Sequence, residues 1–294
     1  MDVGRDVSVK YVALREAIGR LDDDGSVAVL DTYPDNNFAS FFASGGRLRE
    51  LANAPVTGRM PYSKILPGLV ADRRAAIYGI GLNFRSKMEA TQRERPDQPT
   101  FFAKAPSALG PPGFPIVLPN VAPDCVDYEG EIGIVIAAPL FDATRAQASA
   151  AIGAAVATND VTARDVMRDS GNPTLAKSFP GFAQIGGPLL DLEEYGEPGS
   201  LHLQTVVNGE TRQSDRGDGM LIEVDELLAL LSRYVLLLPG DVVLTGTPAG
   251  TGDETKSYLH DGDVVEVSIA DLPPLRSRVT QSTTDIRELM VLDD

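Results

Sequence analysis

The sequence predicts an α+β protein in two parts, a small N-terminal α+β domain over residues 1–70 and a β-rich domain over 71–294. Three observations carry this. The first 70 residues hold only weak, short signals. From Ala75 onward, short apolar runs are separated by glycine and proline turns. Between those runs, long amphipathic helices are few.

In the first part, strands are expected at Val7–Ala13 and Ser26–Leu30 and a helix near Ser44–Ala52. Gly58–Val70, with Pro61 and Pro67, reads as a connector. In the second part, Ala75–Ile80, Ile132–Ile136, Gly153–Thr158, Leu203–Val207, Asp241–Thr245 and Asp263–Ile269 read as strands. Helices are expected over Thr144–Ile152, Thr162–Ser170 and Val224–Tyr234. The likeness of residues 240–243 to 262–265 reads as two similar hairpin entries, not as a repeat.

Bulk composition excludes several classes. The chain carries 42 acidic against 26 basic residues, a formal charge of −16, which repels a phosphate backbone and an anionic lipid surface. No nucleic-acid or membrane partner is therefore expected. No run approaches the roughly 18–20 apolar residues that cross a bilayer, and the N-terminus lacks an apolar secretory segment. The single cysteine, Cys125, cannot form an intramolecular disulfide, which fits a cytoplasmic location.

The main chemical signal is Asp127-Tyr128-Glu129-Gly130-Glu131-Ile132-Gly133-Ile134-Val135. Side chains alternate along a strand, so Glu129 and Glu131 share a face. Two carboxylates held that close repel unless a cation lies between them, and hard oxygen ligands suit Mg²⁺, Mn²⁺ or Ca²⁺. In so acidic a chain, however, a bare Glu-x-Glu is more often a solvated strand face. A second signal, Thr158 to Asp165, places Asp160 where an apolar strand ends, with Thr162 as a helix N-cap; Asp160 alone reads as a third ligand or as a turn acid. A third is Lys177 in Ala176-Lys177-Ser178-Phe179-Pro180, by itself a surface lysine. The fourth, Leu244 to Gly252, has glycines that let backbone N–H groups approach a ligand or simply form a turn.

Together these segments resemble the fumarylacetoacetate hydrolase family from about Ile77 to Val279. The likeness runs through Gly79-Ile80-Gly81-Leu82-Asn83-Phe84, Phe102-Ala103-Lys104-Ala105-Pro106-Ser107-Ala108-Leu109 and Pro115-Ile116-Val117-Leu118-Pro119. It continues at Asp127 to Glu131, Asn159 to Asp165 and Ala176 to Phe179, and again at Val207-Asn208-Gly209-Glu210, the Met220 region and Pro239 to Pro248. The resemblance implies a β-rich roll of mixed sheets around a central pocket, assembled as a homodimer. It implies that Glu129, Glu131 and Asp160 ligate Mg²⁺ or Mn²⁺, that Lys177 faces the substrate, and that Arg164 and Thr247 lie near its carboxylate or carbonyl. Gly246, Phe84 and Met167 complete the substrate-binding set. Met167 stands where a polar Gln is common in the family, so the pocket is expected to be more apolar there.

What the family implies about chemistry is a metal-dependent hydrolase that cleaves a C–C bond in an acylpyruvate or related β-diketo acid. Decarboxylation or tautomerisation of a β-keto acid such as oxaloacetate is the alternative, in a biosynthetic setting if the altered pocket serves an unusual substrate. A fold-retaining, non-catalytic binding protein is the third reading. The lid motivates these alternatives. Family hydrolases pair a His with a Glu there, but this sequence has Lys87 at the His position, and Glu89 falls one residue short of the Glu spacing. Lys87 and Glu89 are therefore the candidate lid bases, with Glu94 as a further alternative.

Overall fold

The computed structural model describes residues 10–14, 17–32, 35, 37–64, 75–96, 98–110 and 114–281. Two mixed sheets dominate it. The larger has twelve strands, and its main path runs Val56–Pro61, Ser26–Leu30, Ile18–Leu21, Lys10–Ala13, Pro188–Leu190, Ile152–Asp160, Gly130–Ile136, Val242–Leu244, Ile77–Gly81, Thr100–Lys104. The smaller has five, in the order Glu210–Arg216, His202–Val207, Val264–Ile269, Leu275–Gln281, Ile116–Leu118. Most neighbours are antiparallel, but Val242–Leu244 with Ile77–Gly81 and Leu275–Gln281 with Ile116–Leu118 are parallel. This is the mixed-sheet α+β roll. No helix among the described residues is long and apolar enough to cross a membrane.

Strand Gly130–Ile136 shows how the sequence builds the roll. Its residues alternate between two cores, as the period of two requires. Ile132, Ile134 and Ile136 enter the main core with Leu203 and Val267 of the smaller sheet. Val135 points the other way, into a second core with Phe38, Phe41 and Phe42. Gly130 is required by close approach, since a Cβ there would lie 1.9 Å from the Thr205 hydroxyl. The opposite face of the strand carries Glu131.

Several expected elements differ in detail. The first strand is described from Lys10 to Ala13, and residues 7–9 of that expectation lie outside the described residues, as does the proposed boundary near residue 70. Lys10–Ala13 pairs with Pro188–Leu190, so the N-terminal strands continue the large sheet. The start of the expected connector is instead a strand, Val56–Pro61. Among the described residues it pairs on one side only, and an edge strand tolerates a terminal proline that a central one would not. Helix Phe38–Ala43, capped by the Asn37 side chain, had no legible periodic signal over six residues. Thr162 is not the N-cap of Arg164–Ser170. That position is Ala163, while Thr162 pairs with Asp127 in a two-residue bridge.

The join between N-terminal strands and the rest of the sheet contains a testable irregularity. Asp191 is 2% exposed; one carboxylate oxygen accepts from Glu193 N at 2.9 Å, and among the described residues the other has no partner. Burial, and secondarily the charges of Glu194 and Glu193, push its pKa up to about 6. Below pH 4 both folded and unfolded chains keep the proton. Between pH 4 and 6 only the folded chain keeps it, and above pH 6 the fold carries a buried carboxylate. Stability therefore falls as pH rises from 4 to 6. Asp191→Asn, which retains the helix cap, is expected to gain about 1–2 kcal/mol at pH 7.5 and nothing near pH 4, read from urea unfolding at the two pH values.

Candidate metal centre and active-site pocket

Glu129 and Glu131 flank Gly130 at the start of the central strand, and Asp160 ends the adjacent antiparallel strand Ile152–Asp160. Backbone pairing fixes the juxtaposition. Asp160 N donates to Glu129 O at 2.8 Å, and Glu129 N donates to Asn159 Oδ1 at 2.9 Å. All three carboxylates are buried, and one oxygen from each lies within 4.8 Å of the others.

Three cations surround them. Lys177 Nζ donates to Glu129 Oε2, to Asp160 Oδ2 at 2.6 Å and to Thr162 Oγ1 at 2.8 Å, and stands 5.2 Å from the Phe102 ring centroid. Arg164 Nη2 donates to Glu129 Oε1 at 2.6 Å, and its Nε to Asp127 Oδ2 at 2.8 Å. Lys104 Nζ, fully buried, pairs with Asp160 Oδ1 and donates to Phe182 O at 3.0 Å. The sequence reading passed over Lys104. Its place in an apolar strand, Thr100–Lys104, was the available signal, because a buried lysine requires a buried acid.

Four carboxylates, Asp127 among them, thus face three cations, and Glu131 is the one left without a salt bridge among the described residues. Its partner is the Gly246 N–H, at 2.7 Å. Gly246 adopts φ +95°, the left-handed turn that aims this N–H at the carboxylate. Burial, then the charges of Asp160 and Glu129, hold Glu131 well above the usual carboxylate range. Burial would also raise Glu129, but Arg164 and Lys177 outweigh it and hold Glu129 far below that range. Lys177 likewise stays charged, since Asp160 and Glu129 overcome the cost of its burial. A buried oxygen-only triad, one member of which has no salt-bridge partner among the described residues, fits a hard divalent cation such as Mg²⁺ or Mn²⁺.

A cavity of about 690 Å³ opens beside the triad. Glu129, Glu131, Lys177, Thr247, Met167 and Lys87 all line it, as does Arg164. The structure places the remaining sequence-derived residues elsewhere. Phe84 is fully buried in the main core, bridged to Met220, and Glu89 is exposed on helix Arg85–Ala90 outside the cavity lining. Gly246 acts through Glu131, and Asp160 closes the triad from below the lining. Thr247 Oγ1 donates to Gly130 O and accepts from Gln213 Nε2. Arg164 pairs its guanidinium with Asp127 and Glu129 and so fixes both carboxylates.

Asp127 is fully buried and ties the site to the cavity rim. Besides Arg164, it accepts from Gly252 N at 2.7 Å and Asp253 N at 3.0 Å. The same short helix, Gly252–Thr255, supplies Glu254, which pairs with Lys87 of helix Arg85–Ala90; Lys87 also donates to Thr251 Oγ1 at 2.7 Å.

Comparison with known proteins agrees with this geometry. Residues 76–280 match the family model described as fumarylacetoacetate (FAA) hydrolase C-terminal. The chain is 30% identical over 273 residues to 2,4-didehydro-3-deoxy-L-rhamnonate hydrolase of Sphingomonas sp., covering 91% of this chain and 93% of that one. It is 31% identical over 232 residues to the mitochondrial oxaloacetate tautomerase of Homo sapiens, covering 78% and 73%. Among solved structures, the fumarylacetoacetate hydrolase of Exiguobacterium antarcticum superposes with a TM-score of 0.79 at 29% identity, covering 93% of this chain and all of that one. With its mixed-sheet roll, its buried carboxylate triad and a family match over residues 76–280, this chain belongs to the fumarylacetoacetate hydrolase family.

Proposed function

We propose that this protein is a metal-dependent hydrolase that cleaves the C–C bond of an acylpyruvate or related β-diketo acid. The observation that carries the reading is the buried triad Glu129, Glu131 and Asp160, converging at the wall of a cavity that Lys177 also lines. When bound, Mg²⁺ or Mn²⁺ supplies a Lewis acid for a chelating dicarbonyl. Glu129 and Glu131 are held for that role by Arg164 and Gly246 N–H. Lys177, kept protonated by its acidic neighbours, serves as a fixed donor where oxyanion charge develops. In the overall reaction, water adds to the acyl carbonyl and the C–C bond breaks. Its electron pair passes to the pyruvate enolate, which takes up the remaining proton of the water at its methylene carbon to become pyruvate, leaving one carboxylic acid.

One observation favours a second reading, tautomerisation or decarboxylation of a β-keto acid. Lys87, the lid candidate, is engaged by Glu254 and Thr251, and Glu89 is exposed outside the cavity lining, which leaves the exposed rim residue Glu94 as the lid carboxylate that lines the cavity. Neither alternative reaction needs a lid base for a nucleophile. Incubating the protein with acylpyruvates and oxaloacetate in the presence of Mn²⁺ separates the readings by product. Pyruvate plus a second acid is expected. Release of CO₂, or an ultraviolet change without cleavage, would replace hydrolysis by the second reading.

Lys87→Ala tests the lid. Because its ammonium anchors helix Arg85–Ala90, the substitution is expected to raise KM several-fold and leave kcat within about threefold. A kcat loss beyond about 100-fold would instead make Lys87 the proton-transfer group.

A further inference from the structure

We propose that the substrate carries an apolar, uncharged tail beyond its keto-acid head, and that Met167 is the residue that selects it; this rests on the keto-acid reading above. Met167 of helix Arg164–Ser170, Phe102 of strand Thr100–Lys104 and Pro173 at the head of helix Pro173–Ala176 line the same cavity as Lys177. Lys177 Nζ stands over the Phe102 ring, so this wall begins where the polar head group ends.

The cavity's charges point the same way. Five cations line it, and four are already engaged: Lys87 by Glu254, Arg164 by Asp127 and Glu129, Arg168 by Asp253, and Lys177 by Glu129 and Asp160. The fifth, Arg93, has no ion-pair partner among the described residues. It is exposed on the rim next to Glu94, a lining carboxylate of opposite sign. A second substrate carboxylate at the Met167 wall would lose hydration among cations already held by carboxylates, with only the exposed rim residue Arg93 unpaired among the described residues, which is unfavourable. A methylene there gains up to about fourfold in affinity, the equivalent of about 0.8 kcal/mol per buried CH₂.

Calorimetric titration of the Mn²⁺-loaded full chain with pyruvate, 2-oxobutanoate and 2-oxohexanoate, and with 2-oxoadipate as the equal-length diacid, tests this without turnover. The Kd is expected to fall about two- to fourfold per added methylene, with 2-oxohexanoate at least about tenfold tighter than 2-oxoadipate. Met167→Gln is expected to flatten the dependence on chain length. Equal or tighter binding of 2-oxoadipate, or pyruvate binding with no dependence on tail length, overturns the tail assignment and leaves the keto-acid reading standing. Failure of every 2-oxo acid to bind overturns both.

Discussion

Replacing Glu131 by glutamine is expected to abolish divalent-metal binding and lower kcat/KM by about 10³-fold, the equivalent of roughly 4 kcal/mol of lost transition-state stabilisation. The residue is chosen because it is the triad member without a salt bridge among the described residues, so no lysine or arginine is orphaned by the change. Its carboxyl is already pushed well above the usual range by burial and by the charges of Asp160 and Glu129. A neutral amide in its place is therefore no less stable in the metal-free fold, and the loss is specific to metal. Thermal unfolding separates the two effects. Mn²⁺ at about 100 times its Kd stabilises the native wild-type protein by about 2.7 kcal/mol, a Tm rise of about 5 °C. The Glu131→Gln protein should melt close to the metal-free wild type and show no rise. A metal-induced shift equal to that of the wild type would remove Glu131 from the metal site.

Lys104→Met is expected to have the largest effect on stability, about 3–5 kcal/mol. The lysine and Asp160 have no exposed side-chain surface, and Lys104 also satisfies the Phe182 carbonyl. Methionine fills similar volume but leaves a buried acid short of one cation and a carbonyl without its donor, both costly in a low-dielectric interior. Urea unfolding at neutral pH reads the loss. Because the cost lies in the stranded carboxylate, Lys104→Met with Asp160→Asn should be less destabilised than the two single changes added together, by at least about 1.5 kcal/mol. Strict additivity would mean that Lys104 stabilises only through its methylenes.

Much of the candidate site was legible because it depends on local period. Glu129 and Glu131 sit two residues apart on one strand, and alternation alone puts them on one face. Asp160 was legible as the end of an apolar strand, a third ligand or a turn acid, and the family resemblance was what set it beside the two glutamates. The major strands and the helices near 145, 164 and 224 were marked by apolar runs and glycine turns. The lid gave a weaker signal. Lys87 and Glu89 are two residues apart on a six-residue helix, and a helix of that spacing directs them to different sides, so one lines the cavity and the other faces solvent.

Long-range pairing was not legible. The resemblance put Arg164 near a substrate carboxylate or carbonyl, and only the folded structure shows its guanidinium bonded to Asp127 and Glu129. Lys104 lies 56 residues from Asp160 and shares no periodic pattern with it. Phe84 belongs to a family block yet is consumed by the core, while its neighbour Asn83 ties the loops at Ile222 and Thr245. By itself the sequence determined the strand texture and the shared face of Glu129 and Glu131, which rest on spacing along one chain, and its ordered blocks carried the family resemblance that added Asp160 to them. Which cation answers which carboxylate, and which cavity wall stays apolar, was decided only by the tertiary structure, because an ion pair's partner is chosen by distance in space after burial has removed water as the competitor.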